Sequence, residues 1–209
     1  MKTESLGGFD RFRVPAALLV IAIHTGPLLS LNGEANYLLT DILARIAVPF
    51  FFSVSGWFLV PRLLREGRAA LIPFVKKLLL LYGAAVLLYL PLNLYNHTLE
   101  ESGFALLRDV LFNGTFYHLW YFPALVLGAC LVYGLLRILG PRWAWLPALL
   151  LYAAGLLGDS YFGLTAALPP PRAGYEALFL LFAYTRNGLF FPPVFLLPGG
   201  RPALGPPRR

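Results

Sequence analysis

The apolar residues of this chain collect in six long runs that are separated by short charged loops. The runs cover approximately residues 14–31, 42–60, 73–95, 119–139, 142–158 and 175–197. A helix needs about 20 mainly apolar residues to cross a bilayer core of about 30 Å, and the runs approach or exceed that length. The third and sixth runs contain proline and polar residues, which membrane helices tolerate when neighbours satisfy the freed backbone groups. The pattern predicts an all-α, polytopic transmembrane bundle of about six helices.

The charges between the runs alternate in sign along the chain. The N-terminus and the second and fourth loops are basic, whereas the first, third and fifth loops are acidic or mixed. Because basic loops face the cytoplasm, the N-terminus is expected inside, in a multi-pass protein of the plasma membrane. Residues 1–197 are predicted to form one transmembrane domain, in contact with the lipid bilayer. Residues 198–209, rich in Pro, Gly and Arg, are predicted to form a disordered cytoplasmic tail.

Composition agrees with a membrane protein and excludes several function classes. Charged residues make up 13% of the chain and the mean hydropathy is +0.69, whereas soluble domains are about 25% charged. The net charge of +7 lies in short loops rather than along one stripe, so no nucleic-acid partner is expected. A single cysteine and three scattered histidines give no metal-ligand spacing, so we expect no metal site and no bound cofactor.

Arg13 and His24 are the first candidates for chemistry. A helix makes slightly more than three turns in 11 residues, so both side chains should share one face, about 16 Å apart along the axis. Ionisable groups inside a membrane are costly and mark functional sites. His24 is either a packing residue that hydrogen-bonds to a neighbouring helix or a proton-transferring group.

Arg11 and Arg13 also have two interpretations. Basic residues at a cytoplasmic helix end can simply set the orientation of the helix. Pro15, however, suits the first turn of a helix, which would place both arginines beside exposed helix-start N–H groups. Such a position binds anions, and a phosphate-bearing cofactor could dock there.

Four polar residues in the second and fourth runs are candidates for lining a substrate cavity. Ser53 and Ser55 lie in an aromatic stretch, where small and hydroxyl residues also serve helix packing. His118 and Trp120 open the fourth run, where an aromatic belt at the membrane surface is the alternative explanation.

Arg186 and Asn187 interrupt the sixth run and are the remaining cavity candidates. An unpaired arginine at that depth costs several kcal/mol, so we expect Arg186 to face a partner. Glu176, Asp159 or a bound carboxylate would serve. Two glycosylation sequons, at Asn96 and Asn113, lie in the loop predicted to be outside the cell.

The chain resembles the integral-membrane acyltransferase family 3. The resemblance is carried by residues 10–13 (DRFR) with His24, and by residues 51–56 (FFSVSG). Within that family it is most similar to the membrane domain of the serine/alanine racemases linked to vancomycin resistance. That similarity lies in residues 9–14 (FDRFRV), 48–52 (VPFFF), 117–123 (YHLWYFP), 158–164 (GDSYFGL) and 185–191 (TRNGLFF).

The resemblance implies transfer of an acyl group from a cytoplasmic acyl-CoA, as co-substrate, to a small-molecule acceptor at or across the membrane. His24 would be the catalyst, and Arg11 and Arg13 would bind the acyl donor. For the racemase-linked members the resemblance implies instead the import of L-serine for a linked racemase domain, and Arg186 and Asn187 would then bind the substrate carboxylate. Family members have more spans than the six predicted here, so we expect a C-terminally truncated chain.

Overall fold

The computed structural model describes residues 7–97, 102–116 and 118–203, and all secondary structure within these ranges is helical. The chain divides into two compact units, with the boundary between Ser55 and Gly56. Each unit is described by itself. The all-α class predicted from the sequence is confirmed.

The first unit is built around one long helix and an irregular helical stretch that continues directly into the next helix. Its elements are α1 (Gly7–Thr25), α2 (Gly33–Tyr37), a π-helical turn (Leu38–Leu43), a 3-10 turn (Ala44–Ile46) and the first half of α3 (Ala47–Glu66). The π and 3-10 turns pack against α1. Ala16 and Ala44 are fully buried, and such small side chains allow backbones to approach closely. Phe12 packs edge-on against Phe50, with ring centroids 4.8 Å apart.

The second unit contains the rest of α3 and all later elements. They are α4 (Arg68–Tyr95), α5 (Gly103–Arg108), a π-helical turn (Asp109–Asn113), α6 (Tyr121–Trp143), α7 (Trp145–Leu157), α8 (Phe162–Ala166), α9 (Pro169–Phe179), α10 (Pro192–Leu196) and a 3-10 helix (Leu197–Ala203). Helix α6 packs against α4, α7 and α10. Gly140 has a φ of 77°, so the helical path is broken near the end of α6.

Glycines allow the chain after α9 to lie close to α6 and α7. A Cβ at Gly128 of α6 would come within 2.7 Å of the Cβ of Pro192, and one at Gly155 of α7 within 2.8 Å of the Cβ of Phe190. A Cβ at Gly188 would overlap the side chain of Leu127. This segment therefore packs closely on α6 and α7 at positions where one of the two residues is a glycine.

Three helices in the described residues are long and apolar enough to cross a membrane: Gly33–Glu66, Arg68–Tyr95 and Tyr121–Trp143. The predicted count of about six is not confirmed. The fifth run forms α7, whose 13 residues span only about 20 Å. The first run lies in α1, which begins before the charged residues Asp10, Arg11 and Arg13.

The prediction of a continuous sixth helix over residues 175–197 is wrong. Helix α9 ends at Phe179 and α10 begins at Pro192, and the chain between them is irregular. Pro192 and Pro193 have no N–H to donate to a preceding turn. The side chain of Asn187 forms hydrogen bonds with nearby backbone groups, which competes with helical hydrogen bonding of the same groups. Arg186 thus lies on an irregular segment rather than in mid-helix.

The predicted disordered tail began at Pro198. The structure instead continues helically to Ala203, and Gly199 and Gly200 are buried. A Cβ at Gly199 would overlap the backbone of Gly56, so the close approach depends on two glycines. Residues 204–209 lie outside the described residues.

Candidate functional site

The proposed anion site at the start of the first helix is not supported by the structure. Helix α1 already includes Gly7, so Pro15 lies in the helix interior and Arg11 and Arg13 lie well inside α1. The free N–H groups at the start of α1 therefore belong to residues before Arg11, and not to the helix start that Pro15 predicted. Arg13 instead pairs with Asp10 one turn earlier, with Nη1 and Oδ1 3.1 Å apart. Arg11 and Arg13 remain exposed cations that an anionic ligand can reach.

Arg13 and His24 lie on one continuous helix, as the predicted alignment of their side chains requires. Both residues are exposed within the chain. Val14, Leu18 and Ile21 are also more than half exposed, and their spacing forms an apolar stripe along α1. The imidazole is therefore accessible beside an apolar face.

The two serine candidates lie on α3 and differ in their surroundings. Ser55 donates a 2.8 Å hydrogen bond from Oγ to the carbonyl oxygen of Phe51, one turn earlier. This bond satisfies the hydroxyl within its own helix. Ser53 is half-buried on the same helix. The structure shows no contact of either hydroxyl with another helix among the hydrogen bonds of the described residues, so the cavity role stays a prediction.

In the second unit, Arg186 finds one of the partners expected for it. Its Nε lies 2.7 Å from Oδ2 of Asp159, in the turn that follows α7. Its guanidinium carbon lies 5.4 Å from the ring centroid of Tyr184. Tyr184 in turn packs edge-on against Trp120, with centroids 6.0 Å apart. The structure thus brings two predicted cavity residues, Trp120 and Arg186, into one cluster with Asp159 and Tyr184.

Asn187, next to Arg186, is used by the backbone. Its Nδ2 donates to the carbonyl oxygen of Tyr184 at 3.0 Å, and its Oδ1 accepts from the N–H of Leu189 at 3.0 Å. The residue is only 2% exposed. Asn187 therefore shapes the turn that presents Arg186.

His118 lies in an aromatic environment of its own. Its ring packs edge-on against Tyr89, at 4.7 Å between centroids, and against Phe116, at 5.0 Å. These contacts connect α4 to the segment before α6. They show His118 as part of an aromatic packing cluster.

Sequence reasoning missed the role of Asn113 and Asp109. Asn113 was noted as a glycosylation sequon, but it is 8% exposed. Its Oδ1 accepts from the N–H of Ala183 at 2.9 Å, and its Nδ2 donates to Oδ1 of Asp109 at 2.8 Å. Asp109 also pairs with Arg108 at 3.1 Å. An adjacent Arg-Asp pair before an apolar run was the one signal that could have marked this position.

These contacts define the Arg186 cluster: Asp159, Tyr184 and Arg186, with Trp120 beside the tyrosine ring. It can bind a ligand that carries charges of both signs, because a cation and an anion are both partly exposed there. Within the described residues, no three His, Cys, Asp or Glu side chains converge as a metal site would require.

Relatives of known name match almost the whole chain. An amino-acid racemase of Enterococcus faecalis is 44% identical over 95% of this chain. A serine/alanine racemase of Enterococcus gallinarum is 44% identical over 92% of it. In both cases the match covers 28% of the relative, so the chain spans a little over a quarter of their length. No solved structure gives a significant match.

A family comparison covers the same region. The family described as acyltransferase domain matches residues 6–196, which include α1 to α10. This match and the three apolar helices indicate a membrane protein. The resemblance seen in the sequence is confirmed, and the chain belongs to acyltransferase family 3.

Proposed function

We propose that this chain acts in acyl transfer at the membrane, with a cytoplasmic acyl-CoA as donor and a small molecule as acceptor. The family match over residues 6–196 is the observation that carries the proposal. It includes α1, on which Arg13 and His24 occupy one uninterrupted helix. We further propose that the N-terminus of α1 faces the cytoplasm, where the donor is found.

In this proposal His24 acts as the general base. Its imidazole takes the proton from the hydroxyl or amine of the acceptor, which attacks the thioester carbonyl. The carbon–sulfur bond breaks, and the leaving thiolate takes the proton back from the imidazolium. Arg11 and Arg13 bind the phosphate groups of the donor, because guanidinium groups bind phosphate through paired hydrogen bonds. Both arginines are exposed, which this role requires.

The test compares His24→Ala with a matched histidine variant. Purified protein in nanodiscs is supplied with acyl-CoA and membrane extract as a source of acceptor, and release of free CoA is measured. General-base catalysis contributes about 100-fold or more, so His24→Ala should lose about that factor. His97→Asn is the control, because His97 is exposed and has a φ of 51°, which asparagine tolerates.

The outcome separates catalysis from folding. CoA release that survives His24→Ala unchanged would remove the imidazole from the mechanism. A loss of CoA release in both histidine variants would point to a general defect and also contradict the proposal. Arg13→Gln should raise the KM for acyl-CoA more than it lowers kcat, since it removes a binding contact.

The names of the relatives favour a second candidate function, the import of L-serine for a racemase. Two relatives are named amino-acid racemase and one serine/alanine racemase, at 41% to 44% identity. In this candidate the membrane domain supplies the amino acid and a linked soluble domain converts it. Uptake of radiolabelled L-serine by cells that express the chain tests this function. Equal uptake by cells with and without the chain would exclude it.

A further inference from the structure

The ion pair between Arg186 and Asp159 uses only part of each group. The contact joins Nε of Arg186 to Oδ2 of Asp159. Among the described residues, no hydrogen bond or ion pair reaches the two Nη atoms of Arg186 or Oδ1 of Asp159. The side chain of Arg186 is 43% exposed and that of Asp159 is 28% exposed. Both partly exposed side chains therefore keep polar atoms that the ion pair does not use.

The position of the arginine is set before any ligand binds. Tyr184 packs against its guanidinium, and the amide of Asn187 fixes the turn on which it lies. A guanidinium edge with two free N–H groups matches a carboxylate, which it binds through two parallel hydrogen bonds. A free carboxylate oxygen matches an ammonium group in the same way.

Net charge selects among the possible ligands. The existing pair is neutral and only partly exposed, so an added charge without a counter-charge is costly there. A lone anion or a lone cation would leave one uncompensated charge at this place. A zwitterion leaves the sum at zero while it contacts both free edges.

We propose that Arg186 and Asp159 form a receptor for the backbone of a free α-amino acid. The substrate carboxylate binds the two Nη atoms of Arg186, and the substrate ammonium binds Oδ1 of Asp159. Asn187 holds the turn and does not contact the substrate. The choice of L-serine as the probe rests on the second candidate function; the site itself follows from the ion pair.

The chain offers a matched control in a second ion pair. Arg172 and Glu176 are joined at 2.8 Å between Nε and Oε1, almost the same distance as in the Arg186 cluster. They lie one turn apart on α9, and their side chains are 60% and 57% exposed. Removal of a charge at this second pair changes the net charge of the protein equally, but leaves the proposed receptor intact.

The experiment measures binding of tritiated L-serine to the purified chain in phosphatidylcholine nanodiscs by scintillation proximity. Two analogues compete: N-acetyl-L-serine, which lacks the ammonium group, and L-serine methyl ester, which lacks the carboxylate. The inhibition constant of each analogue should be higher than that of L-serine by about tenfold or more, because each analogue loses a charged hydrogen bond.

The variants should separate the two halves of the receptor. In Asp159→Asn, the preference for L-serine over N-acetyl-L-serine falls by about tenfold, and the preference over the methyl ester remains. In Arg186→Gln the pattern is reversed, and Arg186→Lys is intermediate because it keeps the charge but loses the paired geometry. Arg172→Gln and Glu176→Gln change neither preference. These are ratios within one variant, so partial misfolding does not alter them.

Several results would overturn the proposal. They are the absence of saturable L-serine binding to the wild-type chain, preferences that do not change in Asp159→Asn and Arg186→Gln, and equal changes in the Arg172 and Glu176 controls. Displacement of L-serine by phosphatidylethanolamine in the nanodisc, at L-serine concentrations that otherwise saturate, would identify a lipid headgroup as the ligand instead. Saturable binding without the expected ratio changes would refute this site while leaving L-serine import and acyl transfer open to their own tests.

Discussion

Replacement of Asn113 by alanine should destabilise the second unit more than any nearby surface change. The substitution removes the hydrogen bond to Asp109 at 2.8 Å and the hydrogen bond from Ala183 at 2.9 Å. A longer bond to the carbonyl oxygen of Leu181, at 3.4 Å, is lost as well. A bond to a charged group contributes about 1.5–3 kcal/mol and a neutral bond about 1 kcal/mol. The free energy of unfolding should therefore fall by about 3 kcal/mol.

The melting temperature of the purified protein in detergent, followed by tryptophan fluorescence, measures this loss. About 2–4 °C is lost per kcal/mol in a protein of this size, so Asn113→Ala should melt about 6–12 °C lower than the wild type. The matched control is Asn96→Ala, at the other sequon, where the side chain is exposed. Surface changes of this kind stay within about 0.5 kcal/mol, or about 2 °C.

A third variant tests the reason for the loss. Asn113→Asp keeps an oxygen acceptor for Ala183 but places a carboxylate beside Asp109. It should therefore melt at least as low as Asn113→Ala at neutral pH. Melting of Asn113→Ala within about 2 °C of Asn96→Ala would refute the proposed role of this side chain.

Two further substitutions test the packing of the second unit. Gly188→Ala should lower the melting temperature, because its Cβ would overlap a side chain of α6. The control is Gly83→Ala on α4, where a Cβ has nothing within 4 Å, and it should be neutral or stabilising by up to about 1 kcal/mol. Equal melting temperatures of the two variants would contradict the close approach. Tyr82→Phe should cost about 1 kcal/mol, because the hydroxyl donates to the carbonyl oxygen of Val110 at 2.8 Å. Tyr95→Phe, at an exposed tyrosine, should leave the melting temperature unchanged, and an equal loss there would refute the assignment.

Two of the apolar runs could be predicted from the sequence with small errors at their ends. The runs at 73–95 and 119–139 correspond to α4 (Arg68–Tyr95) and α6 (Tyr121–Trp143), within a few residues at each end. The sixth run has a similar composition but is irregular around Arg186, where the side chains of Asn113 and Asn187 bind its backbone groups. Hydropathy counts apolar residues and carries no information on such partners.

The site could be predicted only where one residue demanded a partner. The cost of an arginine in an apolar run predicts a counter-ion for Arg186, and Asp159 is one of the predicted partners. The hydrogen bond between Asn113 and Ala183 joins residues 70 positions apart, and nothing in the sequence identifies Ala183 as the partner. Such a pairing follows from tertiary structure alone.

The position of Pro15 has a mechanical consequence for α1. Proline has no N–H, so the carbonyl oxygen of Arg11 lacks its usual helical donor, and the helix resists bending least at this point. Pro15 lies after Arg13 and well before His24. The guanidinium and the imidazole therefore lie on opposite sides of the position at which α1 bends most easily.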